Sequence, residues 1–173
     1  MPEPRYLTAL DVESLHDFIM EKTGDVPSSL RERSLLESAV MRPRMAGHYA
    51  DADLVGQAAI LAIGISQAQA FVDGNKRTAF IAADVFLRAN GYLFAGDPLE
   101  LAQRLEAIAT REGSVAEATA RFTDWLGKRV IRRVLPGLGP RQLRERYAIE
   151  VPVGEPADRA ARQRAATEDS PRE

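Results

Sequence analysis

The sequence predicts an all-α bundle, on three observations. Helix-start signals recur along residues 1–128, two segments are apolar on nearly every side, and a short polar turn containing glycine joins those two segments. In order, Thr8 and Asp11 fit the start of a first helix, with Val12, Leu15 and Ile19 on one face and Gly24 as its stop. Ser34 and Glu37 have the S-x-x-E spacing of a capping box, and Pro43 is expected to end that segment. "LVGQAAILAIGISQAQA" (54–70) and "RTAFIAADVFLRANG" (77–91) lack a polar face, as expected of helices buried in the middle of a bundle. Asn90-Gly91 stops the second of them. Asp97 and Glu100 repeat the box with Pro98 at the first helical position, and Ser114 and Glu117 repeat it ahead of Val115, Ala118, Phe122 and Trp125.

The texture changes after Gly127. "KRVIRRVLPGLGPRQLRERY" is basic and broken by Pro136, Gly137, Gly139 and Pro140, and the last residues are poor in apolar side chains. The expected organisation is one domain over 1–128, then a basic helical segment and flexible tail over 129–173. Lys128, Arg129, Arg132, Arg133, Arg141, Arg144 and Arg146 read either as a solvated face or as a contact for nucleic acid or an acidic partner.

Composition narrows the function. The 173 residues are 45% hydrophobic and 28% charged, with a net charge of −2, which does not suit a protein built to coat nucleic acid. Without cysteine there is no disulfide or thiolate metal site, and with only His16 and His48 a histidine-rich metal centre or a Ser-His-Asp triad is nearly excluded. The start of the chain does not read as a signal peptide, and the longest apolar stretch is too short for a bilayer, so the expectation is a cytoplasmic protein.

Chemistry concentrates in "SQAQAFVDGNKRTAF" (66–80). A helix starting near Lys76 or Arg77 points unpartnered N–H groups back into the turn. Gly74 lets backbone approach an anion, Asn75 can donate to an oxygen, and Lys76 and Arg77 add charge, which together describe a polyphosphate cradle. Asp73 is placed to hold Mg²⁺, and Phe71 to pin the turn to the core. Read without context, Asp-Gly-Asn is equally an ordinary turn with a solvated Lys-Arg pair.

"AFVDGNKRTAF" resembles the signature of the Fic/Doc family, H-x-F-x-[D/E]-[G/A]-N-[G/K]-R-x-x-[R/L], with Phe71, Asp73, Gly74, Asn75 and Arg77 in register. "LHDFIMEKTG", "LLESAVMRP", "FLRANGY" and "GSVAEATARFTDWL" are similar to further blocks of its Doc branch, the toxin half of toxin–antitoxin pairs. The resemblance implies the helical Fic fold, ATP and Mg²⁺ as ligands, a separate antitoxin chain, and elongation factor Tu as target. Lys76 and Phe80 depart from the AMP-transferring pattern as Doc toxins do, which implies transfer of the γ-phosphate to a threonine hydroxyl. No inhibitory helix is expected, because Arg33 follows Ser28 and Glu32 and the segment contains Pro27.

The histidine that serves the family as general base aligns with Gln69. A carboxamide accepts a hydrogen bond but no proton near neutral pH, and losing a general base costs about 10²- to 10⁴-fold. Neither His16, expected as a partly buried residue of the first helix, nor His48, expected in a loop, has the offset to replace it, and Ser66 and Gln67 are not bases. Two explanations stand: a chain that keeps the fold with lost or altered chemistry, or an inactivating change in a toxin. The alternatives are a non-catalytic pseudo-toxin that binds nucleotide or partner, and an AMP transferase.

Overall fold

The computed structural model describes residues 3–110 and 114–132. Six helices are found there: α1 (Ala9–Lys22), α2 (Arg33–Tyr49), α3 (Leu54–Ala68), α4 (Asn75–Ala89), α5 (Pro98–Thr110) and α6 (Val115–Gly127). The strands β1 (Tyr92–Phe94) and β2 (Val130–Arg132) pair antiparallel, Leu93 opposite Ile131. The all-α expectation holds, with this ribbon as an addition.

Local chemistry explains most helix ends. Thr8 and Asp11 form a reciprocal capping box at α1, and Asp53 and Ser114 cap α3 and α6 through Gly56 and Ala116 N–H groups. Asp97 Oδ1 accepts from Leu99 N–H at 2.8 Å, whereas Glu100 turns away to accept from Trp125 Nε1 at 2.8 Å. α4 stops at Asn90 and Gly91, the latter at φ 83°.

The core follows the two apolar segments. α3 buries ten residues between Gly56 and Ser66, and α4 buries Thr78, Ala79, Ile81, Ala82, Ala83, Phe86, Leu87 and Ala89. These two helices pack on each other, α1 lies on α4, α2 lies on α3, and α5 and α6 close the other side. On α1, Glu13 is buried with its carboxylate 2.7 Å from Arg33, which ties α1 to α2. Burying a carboxylate is costly without such a partner.

Three expectations are corrected. Pro43 does not end its helix: it lies inside α2, whose buried residues Leu36, Ala39, Val40 and Pro43 form one stripe. A proline within a helix costs about 3 kcal/mol, and burial of that stripe against α3 offsets it. Ser34 lies within α2 and donates to Glu32, so no box forms with Glu37 at the helix start. His48 is in the last turn of α2, not in a loop, with its ring edge-on to Tyr49.

The segment expected to be helical from 129 begins as a strand. Val130 pairs with Phe94, and Ala95 N–H donates to Arg129 C=O at 2.7 Å. Arg129 lies over the Trp125 ring at 4.6 Å, and Lys128 pairs with Asp124 at 2.7 Å, so two of the basic residues serve the domain itself. Arg133, Arg141, Arg144 and Arg146, with the rest of the tail, lie outside the described residues. Among the described residues no helix is long and apolar enough to cross a membrane.

Candidate functional site

The turn between α3 and α4 starts at Gln69, which caps α3 in the left-handed conformation (φ 53°, ψ 32°) and is exposed. Non-glycine residues rarely adopt this region, and such strain clusters at functional sites. Phe71 follows, fully buried. Its ring stacks on the imidazole of His16, with centroids 3.9 Å apart and planes 7° from parallel. Phe71, expected to pin the turn, is thus buried against a histidine.

His16 is itself completely buried and is held at both ring nitrogens. Thr78 Oγ1 donates to Gly74 C=O at 2.9 Å, so it accepts from His16 Nδ1, also at 2.9 Å. Nε2 then accepts from Ser28 N–H at 3.2 Å. Nε2 also lies 3.1 Å from Ser28 Oγ, so both ring nitrogens have polar partners. His16 thus joins three segments: α1, the start of α4, and the extended stretch that includes Ser28.

That stretch runs alongside the turn. Leu30 and Phe71 form an isolated antiparallel bridge, with Arg31 N–H on Ala70 C=O at 2.7 Å and Val72 N–H on Ser29 C=O at 3.1 Å. Ser28 Oγ donates to Asp73 C=O at 2.9 Å and accepts from Asp73 N–H at 3.0 Å. Residues 28–32 form no helix, in keeping with the expected lack of an inhibitory helix at Ser28 and Glu32.

Asn75 and Gly74 also shape the turn from within. The Asn75 carboxamide accepts from Phe71 N–H at 3.0 Å and donates to Phe71 C=O at 2.9 Å. Gly74 sits at φ 79°, and a Cβ there would meet Met20 Sδ at 2.5 Å and His16 Cε1 at 2.9 Å. The glycine is thus required by its inner side, where His16 packs, in addition to any approach of an anion from outside.

The outer side carries the charges. Asp73 is largely exposed; its Oδ1 accepts from Gly74 N–H at 2.6 Å, and its Oδ2 lies 3.2 Å from Arg77 Nη2. Arg77 Nη1 donates to Thr23 Oγ1 at 2.6 Å and to Asp25. Lys76 reaches away from the turn, its ammonium 2.6 Å from Glu106 on α5. Lysine's hydrogen bond, then its charge, hold the Glu106 carboxyl below its usual pKa. Phe80, half-buried, packs against the core.

These residues suit a phosphate ligand. Gly74, the N-cap of α4, has no side chain to accept from the N–H groups of the first turn, so these lack the side-chain cap that α1, α3 and α6 have. Among the described residues no group of three or more acidic, histidine or cysteine side chains could hold a metal alone. Mg²⁺ in phosphate sites needs only one or two carboxylates plus phosphate oxygens, which Asp73 can serve.

A family model described as the Fic/DOC family matches residues 6–87, from the approach to α1 through Leu87 of α4. A protein named Toxin Doc, from Mycolicibacterium smegmatis (strain ATCC 700084 / mc(2)155), is 39% identical over 100 residues, spanning 54% of this chain and 77% of its own length. This chain belongs to the Fic/DOC family. The matched range contains His16, Ser28 and the whole turn, with Asp25, Asp73, Lys76 and Arg77; Glu106 lies beyond it.

Sequence reasoning missed His16, Ser28, Thr78, Thr23 and Asp25 as parts of the site. His16 carried one usable signal: it shares a helix face with Val12, Leu15 and Ile19. A polar group buried on such a face must find partners, and these are Thr78 and Ser28.

Proposed function

We propose that this chain is a Doc-type toxin of a toxin–antitoxin pair, built to transfer the γ-phosphate of ATP to a threonine hydroxyl of elongation factor Tu. One observation carries the transferase reading: Asp73, Arg77 and the uncapped start of α4 share one short turn that His16, Phe71 and Ser28 hold from beneath. The relative named Toxin Doc supports the toxin reading, and with it a separate antitoxin chain as partner.

In this reading Asp73 would hold Mg²⁺, which would supply screening of the phosphate charge. The first amides of α4 and the Arg77 guanidinium bind phosphate oxygens. Lys76 acts through the bulk of its stem, since its ammonium is directed to Glu106. Transfer forms a bond from the threonine oxygen to the γ-phosphorus and breaks the bond to the β–γ bridging oxygen, with ADP leaving. The hydroxyl proton must also leave, at the position that Gln69 occupies. The Gln69 carboxamide orients a hydroxyl without taking its proton, so the chain as written is expected to be slower by about 10²- to 10⁴-fold than one with a base there.

Gln69 also supports a second reading, a pseudo-toxin that binds nucleotide or partner without transfer. Phe80, turned to the core where an AMP transferase has a second arginine, argues against AMP transfer. Calorimetry with Mg·ATP and a labelling assay test the proposal. The chain should bind Mg·ATP and the Arg77→Ala form should bind it more weakly. The Gln69→His form should transfer label from γ-labelled ATP, but not from α-labelled ATP, to elongation factor Tu. Mg·ATP binding without transfer by the Gln69→His form would leave the pseudo-toxin; transfer of the α label would make the protein an AMP transferase.

A further inference from the structure

Arg77 is engaged within the fold by two residues outside the turn, Thr23 and Asp25. Nη1 has two hydrogens and donates to both Thr23 Oγ1 and the Asp25 carboxylate, while Nη2 contacts Asp73. A two-pronged grip on a phosphate through Nη1 and Nη2 therefore cannot form until one of these partners lets go.

The position of Asp25 is fixed by the way α1 ends. Gly24 N–H donates to Glu21 C=O at 3.1 Å and Asp25 N–H to Met20 C=O at 2.9 Å, with Gly24 at φ 82°. These two bonds are the Schellman arrangement, which locks the backbone just past a helix end. Thr23, the C-cap of the same helix, fixes its hydroxyl by donating to Ile19 C=O at 2.9 Å. The end of α1 thus presents a hydroxyl and a carboxylate to one nitrogen of Arg77.

We infer that Asp25 sets the nucleotide affinity of this site by competing with phosphate for Arg77. The inference rests on the phosphate-binding reading of the turn. Asp25 is half-exposed, so its carboxylate can swing into solvent when a phosphate oxygen takes its place. Binding then exchanges one anion for another on the same guanidinium, and the affinity is lower than the cradle alone would give. Thr23, being neutral, can stay.

Calorimetry with Mg·ATP on the full chain tests this, comparing Asp25→Ala, the near-isosteric Asp25→Asn, Arg77→Ala, and Glu21→Ala as a control that removes an exposed carboxylate from the same helix end. Removing a half-exposed competitor should tighten binding by about two- to fivefold in Asp25→Ala, with a smaller gain in Asp25→Asn, whose amide oxygen can still accept. Glu21→Ala should bind as the parent chain does. If the parent binds, Arg77→Ala weakens it, and Asp25→Ala has no gain, the competition is overturned while the cradle stands. An equal gain in Glu21→Ala overturns it too, since the effect would then be a general field. Absence of Mg·ATP binding in every form overturns both this inference and the cradle.

Discussion

The two sides of the turn between α3 and α4 differ in every physical respect. On the inner side Phe71, His16 and Thr78 are buried, and the contacts are a ring stack and short hydrogen bonds with defined donors. On the outer side Gln69, Asp73 and Lys76 are accessible, and the contacts are ion pairs between half-exposed groups. Ion pairs in water are weak and exchangeable, whereas buried stacks and satisfied polar groups are not. The turn is therefore a rigid backbone with replaceable charges on it, which suits a site where an anionic ligand must displace what is already bound.

The comparison can be broken first at Phe71. Phe71→Ala should destabilise the fold by about 3–5 kcal/mol, because it removes a fully buried ring and leaves His16 without its stack. Chemical denaturation reads this directly. A midpoint close to that of the parent would mean that the inner side does not hold the turn.

His16→Phe is the next step down. A phenyl ring retains the stacking shape but leaves Ser28 N–H without its acceptor and Thr78 Oγ1 without a donor. Unsatisfied buried groups of this kind cost about 1–3 kcal/mol. Hydrogen exchange should also show faster exchange at Ser28 and Val72, whose amides belong to the strip beside the turn. Unchanged exchange would separate His16 from that strip.

What the sequence could disclose follows the same division. The ends of α1 and α4 were legible because Thr8, Asp11, Asn90 and Gly91 act on their own neighbours. The two central helices were legible because burial of most of their surface leaves long stretches in which apolar residues predominate. Pro43 misled because the penalty it imposes is local while the packing that outweighs it is between helices. The ribbon of β1 and β2 joins segments nearly forty residues apart, and three-residue strands leave no periodic pattern. In the site, Phe71 and the order of charges were visible, but the grip of Asp25 on Arg77 and of Ser28 on Asp73 spans about fifty residues of chain. Asn75 and Gly74 were expected to face a ligand because their residue types permit it; only the fold shows that they also close the turn from inside.

Glu106→Gln tests the outer side, with a smaller expected effect. The folded chain holds this carboxyl below its ordinary value of 4.5 through the hydrogen bond and charge of Lys76. A depressed carboxyl pKa stabilises the fold above the ordinary value, and that contribution is lost as pH falls through the folded value. The parent should therefore melt slightly above the Glu106→Gln form at neutral pH, and the two should converge in acid. Added salt should narrow the neutral-pH gap, since the pair is exposed. A gap that persists in acid would mean that Glu106 contributes by packing and not by charge.

Gln69→His should have the smallest effect on stability and a large effect on function. The side chain at 69 is exposed, and a surface substitution of this kind changes stability by no more than about 0.5 kcal/mol. Histidine is also among the residues that enter the left-handed region more readily than most, so the backbone at φ 53° adds no new strain. The inner support is untouched. A neutral imidazole, with an unperturbed pKa of about 6.5, can accept the hydroxyl proton at neutral pH, as the carboxamide cannot. Expression of the Gln69→His form without an antitoxin should therefore arrest bacterial growth, whereas the chain with Gln69 is tolerated. Adding Asp73→Ala should relieve the arrest by removing the carboxylate assigned to Mg²⁺, with little change in melting temperature because that carboxylate is largely exposed and the backbone bonds to Ser28 remain. A Gln69→His form that melts with the parent, binds Mg·ATP and leaves growth unaffected would separate rigid support from catalysis altogether, and the protein would then be a binding member of its family.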